Sequence, residues 1–407
     1  MSVFEDVVRS LAAGTSIPFM VRFAGGRSME AGEGPPQFRI RFKSRAAERR
    51  TAVYRHIGLL ESYFAGEVDI DGDLGAMFRL GMYSPLDTPN LLVRARNAWH
   101  EVRFSNRDPA QAKANARSHY ALGEPFYRTW LDDPLMMYTC GYWPEGVTTL
   151  EQAQRAKVEH VCRKVRLAPG ERVIDVGCGF GGFMFHAAEH HGVHVTGLNT
   201  TTEQIESLRP RLAASPYAEH FALVEADFRD VAAAPGPFDK VVSIGVLEHA
   251  GRDQLVDVVR AHAAWLKPGG LGMLHFIGHV GRHETEFFIR KHVFPGGWIP
   301  SLAATIEAME DAGLEVIDIE NLRRHYALTL DEWARRFDAR WPAIHAIDSA
   351  RFDERFRRIW RTYLIGCAEM FRAPAAGTHL FQIVFGKGPR ITRESYPMSR
   401  AFLYRDA

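Results

Sequence analysis

The chain has 407 residues, 46% hydrophobic and 24% charged, with 50 Lys and Arg against 49 Asp and Glu for a net charge of +1. That length suits two globular domains, and the composition excludes a disordered or fibrous chain while giving no support to nucleic-acid binding. Four cysteines, at 140, 162, 178 and 367, form no Cys-x-x-Cys pair, so no disulfide framework and no metal site are expected, and a reducing cytoplasm is the natural compartment.

The N-terminus, Met-Ser-Val-Phe-Glu-Asp, shows no basic segment followed by an apolar core, and no signal peptide is expected. No apolar run approaches the ~18 residues that span a bilayer, so the chain reads as soluble. A short amphipathic helix is predicted near Val3–Ala12. Phe38–Lys43 alternates strictly, placing Phe38, Ile40 and Phe42 on one face of a strand and Arg39, Arg41 and Lys43 on the other. That basic face, helped by Arg45, Arg49 and Arg50, is a candidate contact with anionic lipid; a solvated strand face is the plain alternative. Gly66–Asp73 reads as a strand ending in a turn. These elements make 1–105 a small α+β domain. The polar stretch Ser105–Asn115 reads as a linker, and 106–150 as linker and helical cap.

From about residue 150 strands and helices alternate. Candidate strands are Arg172–Val176, Val193–Leu198, Phe221–Glu225, Lys240–Ile244, Leu271–Phe276, Leu314–Ile319 and Phe381–Phe385. Repeated βα units predict a parallel, doubly wound, seven-stranded sheet over 151–390, with ligands at the carboxyl ends of its strands. Ile277–Gly313 and Glu320–Leu380 are too long for plain crossovers and read as lid or chamber insertions. Residues 391–407 read as a mobile tail.

The first of these strands runs into Asp175-Val-Gly177-Cys-Gly179-Phe-Gly181-Gly. Closely spaced glycines let backbone pass a ligand without Cβ clashes and then open a helix. The spacing is not the Gly-x-Gly-x-x-Gly of a dinucleotide fold. An acid two residues before the tight turn suits a ligand with an amino-acid end, such as S-adenosylmethionine, better than NAD. After the second strand, Asn199, Thr200, Thr201 and Gln204 stand where a ribose is read, with an amide oxygen of Asn199 or Gln204 as acceptor. After the third, Asp227 offers a carboxylate to an adenine amine and Phe228 a ring; alone, Asp227 also reads as a helix N-cap. Glu248-His249 follows the fourth strand, and His275 closes the fifth inside an apolar run, where a satisfied core histidine is the plain alternative.

Tyr138-Thr-Cys140-Gly-Tyr-Trp143, the glycine run, Glu248-His249, Leu274-His-Phe-Ile-Gly278, Lys291–Gly297, His325–Leu330 and Tyr363–Cys367 together resemble the cyclopropane-fatty-acyl-phospholipid synthase family, in consistent order from about residue 35 to 388. The resemblance implies a class I, Rossmann-like methyltransferase domain with lid insertions. It implies transfer of a methyl group from S-adenosylmethionine to a double bond in an unsaturated phospholipid acyl chain, then ring closure by deprotonation with a bound bicarbonate. By position, the bicarbonate holders are Cys140, Glu248, His275, Tyr326 and the backbone at Ile277. Cys367 is carried over as an active-site residue of the family, although this chemistry leaves a thiol nucleophile no task. Cofactor contacts carried over are Tyr120, Ala121, Tyr138, Asp175, Gly177, Gly179, Gly181, Asn199, Thr200, Thr201, Gln204, Asp227 and Phe228. The aromatics Phe276, Phe294, Trp298, Trp333 and Tyr363 are candidates to face a cation, with core packing as the alternative. The resemblance further implies peripheral contact with the inner membrane face, and a homodimer stays open. Ala121, Glu124 and Pro125 depart from the family's pattern in the segment 119–126, and Asn199 replaces its usual Thr. These departures keep a fatty acyl methyltransferase with a methyl-branched product in view. A non-catalytic lipid-binding protein is the reading from another class.

Overall fold

The computed structural model describes residues 3–82, 91–120, 122–281, 283–373, 377–388 and 391–404, with the side chains of 3, 109 and 116–120 left aside. They form two compact units, one of Met1–Arg103, Glu286–Val293 and Trp333–Ala376, the other of Phe104–Thr285, Phe294–Glu332 and Gly377–Ala407.

In the first unit, α1 (Val3–Ala13), β1 (Phe19–Arg22), β2 (Ser28–Ala31), β3 (Phe38–Phe42), α2 (Arg45–Phe64), β4 (Val68–Gly72), α3 (Leu74–Met82) and α4 (Leu91–Arg103) follow in order. The strands make a sheet in the order β2-β1-β3-β4. The period of two in β3 holds: Phe38, Ile40 and Phe42 are buried and the basic residues exposed. Part of that basic face is paired within the unit. β4 sets Asp69 opposite Arg41, and that carboxylate pairs with Arg41, with Lys43 at 2.8 Å and with Arg358 at 3.3 Å.

The two long insertions carry much of this unit's core. Phe337, Ile344 and Leu364 are fully buried, and Arg79 of α3 pairs with Glu369 at 2.8 Å. Residues 286–293 and 333–376 thus group with the first unit, whereas the linear reading ended the N-terminal domain at 105. Apolar side chains at helical spacing need a partner surface, and here they find it within the N-terminal unit.

In the second unit, α5 (Pro109–Tyr120), α6 (Glu124–Arg128) and α7 (Leu150–Lys164) precede β5 (Arg172–Val176), α8 (Gly182–His191), β6 (His194–Asn199), α9 (Thr202–Ala213), β7 (Phe221–Glu225) and β8 (Phe238–Ile244). Then come α10 (Leu247–Ala250), α11 (Leu255–Trp265), β9 (Leu266–His279), α12 (Leu302–Asp311), β10 (Leu314–Asn321), α13 (Arg323–Ile347), whose first residues belong here, and β11 (Thr378–Lys387). All seven predicted strands form, in the order β10-β11-β9-β8-β5-β6-β7. β5, β6, β7, β8 and β9 are parallel, as expected, but β11 runs antiparallel to both β9 and β10. The chain leaves β10 at Asn321 and re-enters beside it, since Asn321 pairs with Phe381 and the Leu322 amide donates to Leu380. A connection that returns to the same edge of a sheet can only deliver an antiparallel strand.

Two expectations about irregular segments are corrected. The linker is a folded turn and helix: buried Asn106 donates to the carbonyls of His249 at 2.6 Å and Gly296 at 3.2 Å, and buried Asn115 donates to Asn106 at 2.6 Å. The expected mobile tail is docked through 404. Leu403 and Tyr396 are buried, Arg166 donates to the carbonyls of Glu394 and Ser395, and Arg400 pairs with Asp318. Side-chain donors there replace the backbone pairing that composition did not predict.

Phe337→Ala tests the place of the second insertion. A lid residue would tolerate the change, whereas loss of this wholly buried ring should cost about 3–5 kcal/mol. Urea unfolding followed by circular dichroism is expected to show the lowered midpoint.

Candidate active site

β5 ends at Val176 and delivers the glycines to the carboxyl edge of the sheet. Gly177, Gly179 and Gly181 have φ of 76°, 54° and 82°, the left-handed region that only glycine enters freely. A Cβ on Gly177 would lie 2.4 Å from Val246 Cγ2, and one on Gly181 would lie 2.6 Å from Leu208 Cδ1. A Cβ on Gly179 would meet nothing within 4 Å. The loop is therefore squeezed at its ends and open at its middle.

Asp175, just before the loop, is buried, and burial raises its pKa to about 7 against the pull of the Lys157 ammonium. Lys157 comes from α7 and is itself fully buried, its Nζ donating to Thr139 Oγ1 at 2.9 Å. Burial lowers its pKa, while the Asp132 and Asp175 carboxylates favour its charged form. Asp132 accepts from the Met137 amide at 2.8 Å, and its pKa is raised by burial.

The other expected cofactor contacts are placed less uniformly. Asn199 Oδ1 accepts from the Thr201 amide at 3.0 Å, and Asn199 Nδ2 donates to Gln204 Oε1 at 3.1 Å and to Gly179 O at 3.3 Å. Both amide oxygens expected to read a ribose thus accept bonds within the turn after β6, and it is Asn199 Nδ2 that ties this turn to the glycine loop. Thr201 is buried and Thr200 half-buried. Asp227 is neither a helix cap nor unpartnered: Arg229 grips both its oxygens at 2.6 Å and lies over Phe228. Tyr138 packs against Tyr127 and Trp130, each ring centroid 5.3 Å away. Ala121 and the side chain of Tyr120 lie outside the described residues. Glu124 pairs with Arg128 and accepts from Ser207.

A polar cluster occupies the ends of β8 and β9. Glu248, on the short α10, accepts from the Ile277 amide at 2.6 Å through Oε1. Its Oε2 is buried without a hydrogen-bond partner, and burial raises the carboxyl pKa to about 7. His275 is buried and pairs in register with Ile244 and Gln382. Period two sets Ile277 on the same face. Cys140 is fully buried, its thiol donating to Gly141 O at 3.1 Å, and burial pushes its pKa well up, so it stays protonated. Tyr326 is buried on α13, one turn from Thr329, which accepts from the Gly141 amide at 3.0 Å and from Trp143 Nε1 at 2.9 Å. That spacing turns Tyr326 and Thr329 to one face.

Among the aromatics, Phe276 packs on Phe381 in the sheet core, Phe294 meets His249 edge-on at 5.4 Å, and Trp298 lies under the Arg252 guanidinium. Trp333 and Tyr363 are buried in the first unit, which also holds Cys367, its thiol pushed up to about 12 by burial and the Glu286 charge.

Sequence reasoning missed the support behind His275. Lys164 of α7, fully buried, donates to Gln382 Oε1 at 2.8 Å and to Glu320 Oε2 at 2.6 Å, and Glu320 also meets His160 Nε2 at 2.7 Å. An ammonium only donates, so it fixes the Gln382 amide with its nitrogen toward His275 Nδ1, 3.0 Å away. That nitrogen must accept, so neutral His275 carries its proton on Nε2, which is buried without a partner. Burial and the two lysines hold its pKa well below the usual value. The available signal was a stripe, Gln154, Lys157, Val161 and Lys164, at helical spacing on α7; charges in such a stripe ordinarily mark a solvated face.

These shifts set the pH response. A carboxyl raised to about 7 makes folding favour its protonated form, so Asp175 and Glu248 cost stability as pH climbs from about 4.5 past 7. His275 does the reverse, costing stability as pH falls below about 6.5. Nitrogen-15 NMR of histidine-labelled protein should show His275 neutral and protonated on Nε2 at pH 6–8. Gln382→Met is expected to admit the Nδ1 tautomer, and an unchanged spectrum would refute the relay.

With this geometry in place, similarity to known proteins is informative. The family model for mycolic acid cyclopropane synthetase matches residues 107–383. A probable fatty acid methyltransferase of Pseudomonas putida is 34% identical over 351 residues, spanning 84% of this chain and 86% of its own. The cyclopropane-fatty-acyl-phospholipid synthase of Escherichia coli K12 is 32% identical over 353 residues, spanning 86% and 88%. The solved structure of mycolic acid cyclopropane synthase CmaA1 complexed with SAH and CTAB aligns with a TM-score of 0.62 at 31% identity, covering 68% of this chain and 98% of that one. The strand order is that of class I methyltransferases, and the chain belongs to the mycolic acid cyclopropane synthetase family of enzymes.

Proposed function

We propose that this enzyme transfers a methylene unit from S-adenosylmethionine to the double bond of an unsaturated acyl chain in a membrane phospholipid, forming a cyclopropane. The observation that carries this reading is two buried polar atoms without partners among the described residues, Glu248 Oε2 on α10 and His275 Nε2 on β9. One accepts and the other donates, which fits an anion that bears both a hydroxyl and bare oxygens, as bicarbonate does. The open space at Gly179, beside Asp175, fits the amino-acid end of the methyl donor. When bound, the sulfonium supplies an electrophilic methyl and the bicarbonate supplies a base.

The chain's own residues orient and insulate. Glu248, as carboxylate, holds a hydroxyl proton away from the acyl chain. His275 donates through Nε2, and the Ile277 amide fixes Glu248 in turn. Tyr326 adds a hydroxyl donor, and a protonated Cys140, its thiol engaged with Gly141 O, cannot compete as a nucleophile. Apolar burial around these groups makes every hydrogen bond to an anion count more than it would in water. Cys367 serves as packing.

A second reading, a fatty acyl methyltransferase leaving a methyl-branched unsaturated chain, is favoured by the name of the 34% identical relative and by Glu124, committed to Arg128 and Ser207 where the family's pattern differs. The products share a mass. Proton NMR separates them: upfield ring protons support the cyclopropane, whereas a retained vinyl proton with a branched methyl supports the alternative.

We infer a bilayer contact on α4. Leu91, Trp99 and Val102 are 80%, 65% and 80% exposed, and they recur at helical spacing beside Arg94 and Arg103. An exposed apolar stripe with a tryptophan and flanking arginines suits the interface of an anionic membrane. The contact would hold the enzyme at the inner, cytoplasmic face.

Glu248→Ala and His275→Ala are each expected to cut turnover by about 10²–10³-fold, several kcal/mol, while calorimetry shows cofactor affinity within a few fold of wild type. Near-normal turnover in both would remove the anion site. Turnover of the wild type should rise as pH passes about 7 and Glu248 ionises, a limb that Glu248→Gln abolishes. Trp99→Ser with Leu91→Ser is expected to weaken co-sedimentation with anionic vesicles without altering circular dichroism; undiminished binding would move the contact elsewhere.

A further inference from the structure

The second unit holds a cluster of soft and borderline metal ligands that the chemistry above does not use. Glu159 and Cys162 lie one turn apart on α7, and His186 and His191 lie on the facing side of α8. One ligand atom from each falls within 4.8 Å of all the others. His186 Nε2 and His191 Nε2 stand 3.1 and 3.0 Å from the same oxygen, Glu159 Oε2. Arg163 takes the other carboxylate oxygen at 2.8 Å and so turns Oε2 toward the imidazoles. Cys162 and His186 are buried, whereas the His191 side chain is 19% exposed and leaves a way in.

A tetrahedral zinc ion with bonds of about 2.0–2.3 Å keeps its ligand atoms about 3.3–3.8 Å apart, a spacing this cluster reaches with small side-chain adjustments. Two imidazoles, a thiolate and a carboxylate are a complete set for that geometry, and a thiolate selects against calcium and magnesium. The ligands come in two pairs from different helices, which is why cysteine spacing alone predicts no metal.

We propose that Glu159, Cys162, His186 and His191 bind a divalent transition metal of the zinc class that clamps α7 to α8. Four protein ligands leave no open position, the mark of a structural site. α7 carries Lys157 and Lys164 and α8 follows the glycine loop, so the clamp would fix the register of the two helices that support the catalytic face.

Tag-free full-length protein, stripped with a chelator and titrated with Co(II), should take up one equivalent with an intense tetrahedral spectrum and a thiolate-to-cobalt charge-transfer band. Zn(II) should displace it and raise the thermal midpoint. Cys162→Ser is expected to lose the charge-transfer band, and His191→Ala to weaken cobalt binding at least about tenfold with unchanged circular dichroism. If Cys162→Ser does not fold, Glu159→Gln with His191→Ala decides the matter. Octahedral cobalt without charge transfer, no equimolar uptake, or uptake unaltered in the variants that fold would each overturn the proposal.

Discussion

Two lysines buried beneath one face of the second unit's sheet set the terms for what surrounds them. Lys157 and Lys164 both project from α7, neither reaches solvent, and an ammonium out of water is tolerated only with partners that hold its charge. Lys157 is answered by Thr139 and by the nearby Asp132 and Asp175, and Lys164 by Glu320 and Gln382. Two of these partners have a second duty. Asp175 opens the glycine loop, and Gln382 dictates the proton position on His275. The polar groups of the site are therefore organised by the need to satisfy two buried cations.

The same low-dielectric setting explains the protonation states. His275 is kept neutral by burial and by two positive neighbours, so it can donate one proton in one direction. Glu248 is half-buried with its Oε2 shielded from water, and that desolvation raises its carboxyl pKa to about 7. Cys140 and Cys367 are raised, which removes both from consideration as nucleophiles. Environments that push a carboxyl up and an imidazole down set the protonation of the two groups apart near pH 7, a pattern more common at functional sites than in plain cores.

The fold serves this arrangement through its connections. The candidate site residues gather toward the carboxyl ends of β5, β6, β8 and β9, where a parallel topology opens its crevice. The excursion after β10 contributes to the first unit and returns to the same edge, which turns β11 antiparallel and sets Gln382 beside His275. A plain crossover to a parallel strand would have delivered a different register.

Much of this was legible in the sequence. Strand-length apolar runs marked all seven strands, because a sheet covered on both faces must be apolar on both. The glycines at 177, 179 and 181 announced a tight loop because glycine enters their backbone conformation without strain, and Glu248 and His275 stood out as polar residues after or within apolar strands. What the sequence could not reveal depends on partners distant along the chain. Arg41 and Lys43 looked like a free basic face until β4 placed Asp69 against them. Asn106 and Asn115 looked like linker until their amides found buried carbonyls. Lys164, Gln382 and Glu320 belong to one network across 156 to 218 residues of chain. Local pattern determines which face of an element is apolar; only the tertiary structure decides which charge meets which, because Coulombic and hydrogen-bonded partners are selected by distance in space.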